Sequence, residues 1–282
     1  MLRRTSAAAI LAGFMLAGAT RAPSAAESAA PAPLISHRAA YAISLADTAS
    51  PAPPSAQTPI AASGLIAYEF QGSACEGYAS NFREVTELDR SEGDPVSSQT
   101  NSVTFEDAEG KTMRFQIDTQ GFGDNGPVAG LASRAADGDV KVNLTKPKEQ
   151  SLDIGADILF PTQHVVKLIE KAKAGGGAMT ARVYDGSDTG TKIYDTLSVI
   201  GKEASGPSAD AAAFAELASV RRWPVTISYF DSHAKDSLPE YTESFDLYEN
   251  GVSGSLKLDY GTFALEAKLS KIEFIPSRAC AK

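Results

Sequence analysis

The sequence predicts an all-β protein, with one large antiparallel sheet of about twelve to fourteen strands and one main α-helix. Apolar and polar side chains alternate along most of the chain after His37, which is the period of a half-buried strand. Turn-forming pairs such as Asn250-Gly251 separate successive alternating runs. The segment 161–174 has a helical period instead. So many strands joined by tight turns are expected to curl or close, because this limits the number of exposed sheet edges.

Residues 1–26 are typical of a secretory signal peptide. Arg3 and Arg4 precede an apolar run of about 13 residues, and small residues follow up to Ser24-Ala25-Ala26. The apolar run is too short to cross about 30 Å of hydrocarbon, which disfavours the alternative of a transmembrane anchor. We therefore expect residues 27–282 to form a single exported, soluble domain that does not span a membrane.

The expected mature chain is strongly acidic. The whole sequence has 26 basic and 35 acidic residues and a net charge of −9. Removal of residues 1–26 takes away three arginines and no acid, so the net charge becomes −12. Nucleic acids and anionic lipid surfaces require cationic patches, so this balance argues against both as partners.

The strands begin at His37, where Tyr41, Ile43 and Leu45 share one parity. Residues 49–63 are rich in proline and alanine, and we expect a long loop there because proline cannot donate to a sheet ladder. Alternation resumes beyond this loop. It predicts further strands around residues 66–70, 82–88, 103–105, 113–117, 140–144 and 225–229.

The main helix is predicted from Pro161 to Ala174. Proline suits the first helical turn, and the glycines at 175–177 end the helix. Its apolar face is formed by Val165, Leu168, Ile169 and Ala172. A second, weaker helical pattern covers residues 209–220.

The last forty residues predict a three-stranded antiparallel meander. Tyr241, Phe245 and Leu247 share one face, and Glu243 is the polar exception on it. Asn250-Gly251 suits a two-residue type I′ hairpin, and Tyr260-Gly261 predicts a second reversal. Glu243, the interrupting helix and the polar end of the chain disfavour the alternative of an outer-membrane barrel.

The sequence contains two cysteines, Cys75 and Cys280. Two cysteines in an exported chain most simply form one disulfide. The alternative is a redox-active or metal-binding pair. A Cys-x-x-Cys spacing and nearby histidines, which would support that alternative, are both missing from the sequence.

Motifs for catalysis are weak. The three histidines are far apart in the sequence, so no two of them have the spacing of a local metal-binding motif. We predict no catalytic, metal or cofactor site. His164 lies in the first helical turn, where we expect an exposed or capping role. Asp185 and Asp188 lie among glycines and could bind a ligand such as Ca²⁺, although their spacing is more typical of a tight turn. These three residues are the binding candidates of the sequence.

Seven short motifs follow one another between His37 and Ser253. They are His37-Arg38-Ala39, Tyr68-Glu69-Phe70, Ala74-Cys75-Glu76-Gly77-Tyr78, Phe160-Pro161-Thr162-Gln163-His164, Val183-Tyr184-Asp185-Gly186-Ser187, Trp223-Pro224-Val225 with Ser228-Tyr229-Phe230, and Leu247-Tyr248-Glu249-Asn250-Gly251-Val252-Ser253. In this order they resemble the EipB-type family of periplasmic cell-envelope-integrity proteins. The resemblance extends to Cys280 and covers nearly the whole mature chain. The proline-rich insertion at 49–63 is its one departure.

This resemblance implies a spiral-shaped, broken-barrel antiparallel fold with the main helix in its concavity. It also implies a disulfide, here Cys75–Cys280. The implied function is a non-catalytic role in envelope integrity and stress resistance in the periplasm, exerted by binding an unknown envelope protein or lipid. An alternative is a carrier of lipid or lipoprotein acyl chains, whose apolar interior is predicted to include Phe245, Leu256 and Phe263.

Overall fold

The computed structural model describes residues 34–47, 58–121, 126–206, 208–233, 238–276 and Cys280. The predicted signal peptide, residues 1–26, and most of the proline-rich segment lie outside these residues.

Within these described ranges, fifteen strands form a single sheet. Their bounds are β1 His37–Ala46, β2 Pro59–Ser73, β3 Gly77–Arg90, β4 Val96–Glu106, β5 Thr112–Gly121, β6 Val128–Arg134, β7 Val140–Lys146, β8 Gln150–Gly155, β9 Ile158–Leu159, β10 Gly177–Val183, β11 Tyr194–Ile200, β12 Arg222–Asp231, β13 Tyr241–Tyr248, β14 Ser253–Asp259 and β15 Ala264–Phe274.

Strands that are neighbours in sequence pair with each other, except β8 and β9, and the first strand, β1, pairs with the last, β15. The order of strands in the sheet therefore ends at β8 on one side and at β9 on the other. All pairs are antiparallel except β9 with β10. The predicted all-β fold is confirmed, as a nearly closed barrel with one main helix.

Two residues, Ala156 and Asp157, connect the two edges of the sheet. So short a link keeps β8 and β9 close together, although they do not pair. Asp157 has a φ of 60°, a left-handed conformation that lets the chain turn sharply between the edges. The guanidinium of Arg134 donates to the Ile158 carbonyl at 2.7 Å, which provides this end of the sheet with a hydrogen bond that no neighbouring strand supplies.

Helix α1, Pro161–Lys173, follows β9 directly and packs against β10 and β11. Leu168, Ile169 and Ala172 are buried with Trp223 and other residues of β12 and β13, as the helical period predicts. Lys173 pairs with Glu249 at 2.6 Å near the end of the helix. The weaker helical pattern is confined to a short helix α2, Ala209–Ala213, and one 3₁₀ turn, Ala215–Leu217.

Two local predictions are wrong. Strand β2 begins at Pro59, so residues 59–63 belong to the sheet and not to a loop. A proline is tolerated there because the first residue of a strand need not donate to the ladder. The Asn250-Gly251 hairpin is longer than two residues. Gly251 has a positive φ of 88° but Asn250 does not, and the Gly251 N–H closes a turn onto the Tyr248 carbonyl at 2.9 Å.

Alternation continues through the meander with two irregularities. Ser255 has a φ of 52°, and the pairing of β13 with β14 shifts nearby. The pairing of β1 with β15 also shifts, and the hydroxyl of Ser270, at the skipped position, donates to the Ala40 carbonyl at 2.9 Å. These bulges bend the sheet, as a closed barrel requires.

Candidate functional site

The structure joins Cys75 to Cys280 in a disulfide. Cys75 lies in the turn between β2 and β3, and Cys280 lies six residues beyond the end of β15. Strand β1 lies between β2 and β15, so the bond spans the beginning of β1.

His164 is not exposed, which makes the prediction of an exposed or capping role wrong. Its side chain is buried because position 164 lies one turn before Leu168, on the face that enters the barrel. Burial lowers the pKa of His164 to about 4, so its imidazole is neutral at physiological pH.

The cap of helix α1 comes from another strand. Phe160, at the N-cap, has no side-chain oxygen to cap the helix, and the Thr162 N–H donates to Glu106 Oε1 at 2.8 Å. Glu106 is only 2% exposed. Burial raises its pKa to about 7, although the hydrogen bonds from the helix N-terminus oppose this shift.

Asp185 and Asp188 have different environments. Asp185 lies beside the tyrosines of β11–β13, and burial raises its pKa despite the hydrogen bonds that it accepts from Ser187. Asp188 has a φ of 56° in a turn and lies 3.6 Å from the ammonium of Lys192. The expected turn geometry therefore applies to Asp188, and only Asp185 faces the interior.

A row of aromatic rings, which we call the aromatic row, crosses the inner face of β11–β13 and continues to the turn between β14 and β15. Tyr229 and Tyr241 are cross-strand partners whose rings stack with centroids 4.5 Å apart. Tyr194 contacts both rings edge-on at 5.7 and 6.0 Å. Tyr260 continues the row 6.2 Å beyond Tyr241 and stacks on Phe263 at 5.0 Å.

Glu243, the polar exception of the C-terminal meander, lies next to this row. It accepts a hydrogen bond from the Tyr229 hydroxyl at 3.2 Å, and burial raises its pKa. Burial also raises the pKa of Tyr229, and the negative charges of Glu243 and Asp185 raise it further. Carboxylates and rings thus lie together inside the barrel.

The aromatic row ends at an open cavity of about 400 Å³, which we call the interior cavity. Its walls come from the inward residues of β3, β4 and β5 and from the segment that joins β14 to β15. The lining residues are Glu84, Thr86, Leu88, Val96, Ser98, Thr100, Thr119, Tyr260, Phe263 and Leu265.

A larger groove of about 710 Å³ crosses the opposite, outer face of β4–β7, and we call it the outer groove. Val103 and Phe105 are 51% and 41% exposed there. Leu131 adds to the apolar surface, and Arg114 and Asp118 lie among it. Amide side chains of Asn101, Gln116 and Asn143 also line the groove.

Within the described ranges, no group of three His, Cys, Asp or Glu side chains could hold a metal ion. None of the helices in that part of the chain is long and apolar enough to cross a membrane.

Sequence reasoning identified Asp185 as a candidate and marked Glu243 as an exception, but it missed Glu84, Tyr260 and the outer groove. The signal for the groove was present at Val103 and Phe105, because these apolar residues alternate with Thr104 and Glu106. The alternation predicts a strand, but it does not show that the polar residues face inward.

Comparison with known proteins gives consistent results. The family model described as EipB-like matches residues 28–276. The chain is 38% identical over 263 residues to the cell envelope integrity protein EipB of Brucella abortus (strain 2308), covering 92% of this chain and 90% of that protein. It is also similar to the crystal structure of a β-barrel-like protein of a domain of unknown function from Brucella abortus, with a TM-score of 0.79 and 36% identity. That match covers 86% of this chain and 99% of the other.

Proposed function

Because the chain belongs to the EipB-like family, we propose that it is a non-catalytic periplasmic protein that supports the integrity of the cell envelope by binding another envelope component. The leader at residues 1–26 and a disulfide between residues 205 positions apart both suit an oxidising compartment outside the cytoplasm.

The outer groove is the observation that carries the proposed binding function. Val103 and Phe105 expose large apolar side chains where Thr104 and Glu106 take the inward positions. Exposed apolar surface in a groove is typical of interaction sites.

The chemistry of the outer groove favours an extended polypeptide segment as its occupant. Asn101, Gln116 and Asn143 present both donors and acceptors, which match the peptide groups of an extended chain. Val103, Phe105 and Leu131 provide apolar contacts for side chains of that segment. We therefore propose that the partner is an envelope protein that presents an apolar segment.

The test is complementation of a deletion strain in the bacterium that encodes this chain. We expect the strain to lose resistance to detergent and to cell-wall antibiotics, and the wild-type gene to restore it. The double variant Val103→Asp, Phe105→Ser is expected to fail to restore resistance while keeping the wild-type melting temperature, because both side chains are exposed.

The matched control is Gln99→Asp, on the outer face of the same strand but not among the residues that line the groove. It is expected to restore resistance fully. A deletion strain as resistant as its parent would contradict the envelope role. Full restoration by the double variant would contradict the outer groove as the binding surface.

The second candidate function is a carrier of lipid or lipoprotein acyl chains. The interior cavity favours this carrier function because part of its wall is apolar. The apolar lining residues are Leu88, Val96, Phe263 and Leu265. However, Phe245 is already packed in the core cluster that includes α1, and hydroxyls and the carboxylate of Glu84 line the rest of the cavity. Lipid that co-purifies with the protein in native mass spectrometry would favour the carrier.

A further inference from the structure

The interior cavity has an acidic and aromatic wall. Glu84 provides a carboxylate, which the Thr86 hydroxyl orients by donating to Oε1 at 2.8 Å. Tyr260 and Phe263 provide stacked rings. None of the ten residues that line the cavity is Lys, Arg or His.

A second carboxylate lies close to this wall. Burial raises the pKa of Tyr260 to about 12, and the negative charges of Glu84 and Glu243 both raise it further. Tyr260 lines the cavity together with Glu84, and its ring lies 6.2 Å from that of Tyr241, which shares a face of β13 with Glu243. Within the described part of the chain, neither Glu84 nor Glu243 forms a salt bridge, and Glu243 has only a hydrogen bond from a neutral tyrosine hydroxyl. Carboxylates that lie in or beside a cavity wall without a counter-charge favour the approach of a cation.

The aromatic row already binds one ammonium group at its other end. The Nζ atom of Lys192 lies 5.2 Å from the centroid of the Tyr194 ring, the distance of a cation–π contact. The charge of Lys192 is balanced by Glu240 at 2.7 Å and Asp188 at 3.6 Å. Lys192 therefore shows that the row accepts an ammonium group, but its charge is already paired.

We propose that the interior cavity binds an organic ammonium ion, with Glu84 and Glu243 supplying the negative charge and Tyr260 and Phe263 the aromatic surface. Aromatic faces next to a carboxylate suit an alkylated ammonium, because its methylene or methyl groups pack on the rings while its charge stays close to the acid. About 400 Å³ is enough for an ammonium head group of a larger molecule. A metal ion is a poorer match, since stacked rings form much of the wall.

The experiment titrates the purified, disulfide-bonded protein with choline and with butylammonium at constant ionic strength, by calorimetry and by amide NMR shifts. The uncharged control ligand is 3,3-dimethylbutan-1-ol, which has the shape of choline without its charge. We expect saturable binding of an ammonium probe, with shifted amides in β3, β4 and residues 259–265, and at least about tenfold weaker binding of the alcohol.

The matched variants are Glu84→Gln and Glu243→Gln, which keep the shape of each side chain and its ability to accept a hydrogen bond. Each is expected to weaken ammonium binding on the order of tenfold. The control is Glu87→Gln on β3, whose exposed side chain faces outward, and it should bind like the wild type. Circular dichroism and the melting temperature check that each variant is folded.

Three results would overturn the proposal: no saturable binding of either ammonium probe, equal binding of the uncharged alcohol, or unchanged binding in both inward variants. The inference does not depend on the outer groove. The double variant at Val103 and Phe105 should bind the ammonium probes normally, so failure of one proposal is distinguishable from failure of the other.

Discussion

At the scale of single residues, Glu106 makes the free energy of unfolding depend on pH, and the direction of this dependence follows from its raised pKa. Its pKa is raised to about 7 from 4.5. Below about pH 4.5 the folded and unfolded chains both carry the proton on this carboxyl. As the pH rises towards 7 the unfolded chain releases this proton first, so the free energy of unfolding decreases.

We predict that Glu106→Gln flattens the dependence of the melting temperature on pH between 5 and 8. The glutamine still accepts the hydrogen bond of Thr162 but does not ionise. At pH 5 the variant should be more stable by no more than about 1 kcal/mol, and at pH 8 by up to about 3 kcal/mol. Thermal unfolding across this pH range measures the difference.

Glu109→Gln is the control for this prediction, because the side chain is exposed in the turn that follows. It should reproduce the wild-type curve. A Glu106→Gln curve parallel to the wild-type curve would show that burial of this carboxyl does not influence stability.

The residues that line the barrel show how far alternation can be interpreted. At Tyr241, Phe245 and Leu247 the apolar side is the inner side, and the prediction is confirmed. At Val103 and Phe105 the apolar side is exposed, while Glu106 on the other side of the strand is buried and accepts a hydrogen bond from the Thr162 N–H of helix α1. The period of two identifies a strand in both cases, but which face is inner depends on the curvature of the whole sheet.

At the scale of elements, Arg134 connects the open edge of the sheet to helix α1. Its guanidinium donates to the carbonyls of Ile158 at 2.7 Å and Gly110 at 3.2 Å, and to Gln163 Oε1 at 3.2 Å. Its guanidinium carbon also lies 5.2 Å from the centroid of the Phe160 ring. One side chain thus connects β6, β9, the β4–β5 turn and the first helical turn.

We predict that Arg134→Met destabilises the protein by roughly 2–4 kcal/mol, because the fully buried Ile158 carbonyl loses its charged donor. Arg134→Lys should recover only part of the loss, since one ammonium cannot reproduce the fork of the guanidinium. Chemical denaturation measures both values.

The control for Arg134 is Arg83→Met. Arg83 also donates to a side chain, Asn101 Oδ1 at 2.8 Å, but this bond is exposed on the outer face. The loss should be below about 0.5 kcal/mol. Equal losses at Arg134 and Arg83 would contradict a special role for the edge contact.

The helix itself was predictable from sequence, but its cap was not. Pro161, the apolar stripe and the glycines at 175–177 identify α1 with nearly its observed bounds. Its cap comes from Glu106, 56 positions away from Thr162. A contact across that distance depends on the order of the strands in the sheet, which a local pattern does not contain.

At the scale of the whole molecule, the disulfide and the open edge lie in different parts of the sheet. The bond joins Cys280, beyond β15, to Cys75 between β2 and β3, and so spans β1 in the middle of the strand order. The two sheet edges are linked instead by residues 156–157 and by Arg134. We therefore expect the disulfide to hold β1 against its two neighbours, β2 and β15, and not to hold the two sheet edges together.

We predict that reduction of the disulfide lowers the melting temperature by roughly 5–15 °C. The bond closes a loop between residues 205 positions apart. Releasing so long a loop increases the entropy of the unfolded chain by the equivalent of about 5 kcal/mol, of which about 2–4 kcal/mol is usually realised. The double variant Cys75→Ser, Cys280→Ser should melt at the temperature of the reduced wild type and should not respond to reductant.

Hydrogen exchange then distinguishes a disulfide that holds β1 in place from one that acts only on the unfolded chain. If the bond holds β1 in place, its removal should increase amide exchange most in β1, β2 and β15, whereas β5, β6 and β7 should change only to the extent that global unfolding contributes. Comparison is made at equal global stability, which urea adjusts for the wild type. With global stability matched, equal exchange in all strands would mean that the bond acts on the unfolded chain alone. An unchanged melting temperature on reduction would mean that the sheet holds β1 without the bond.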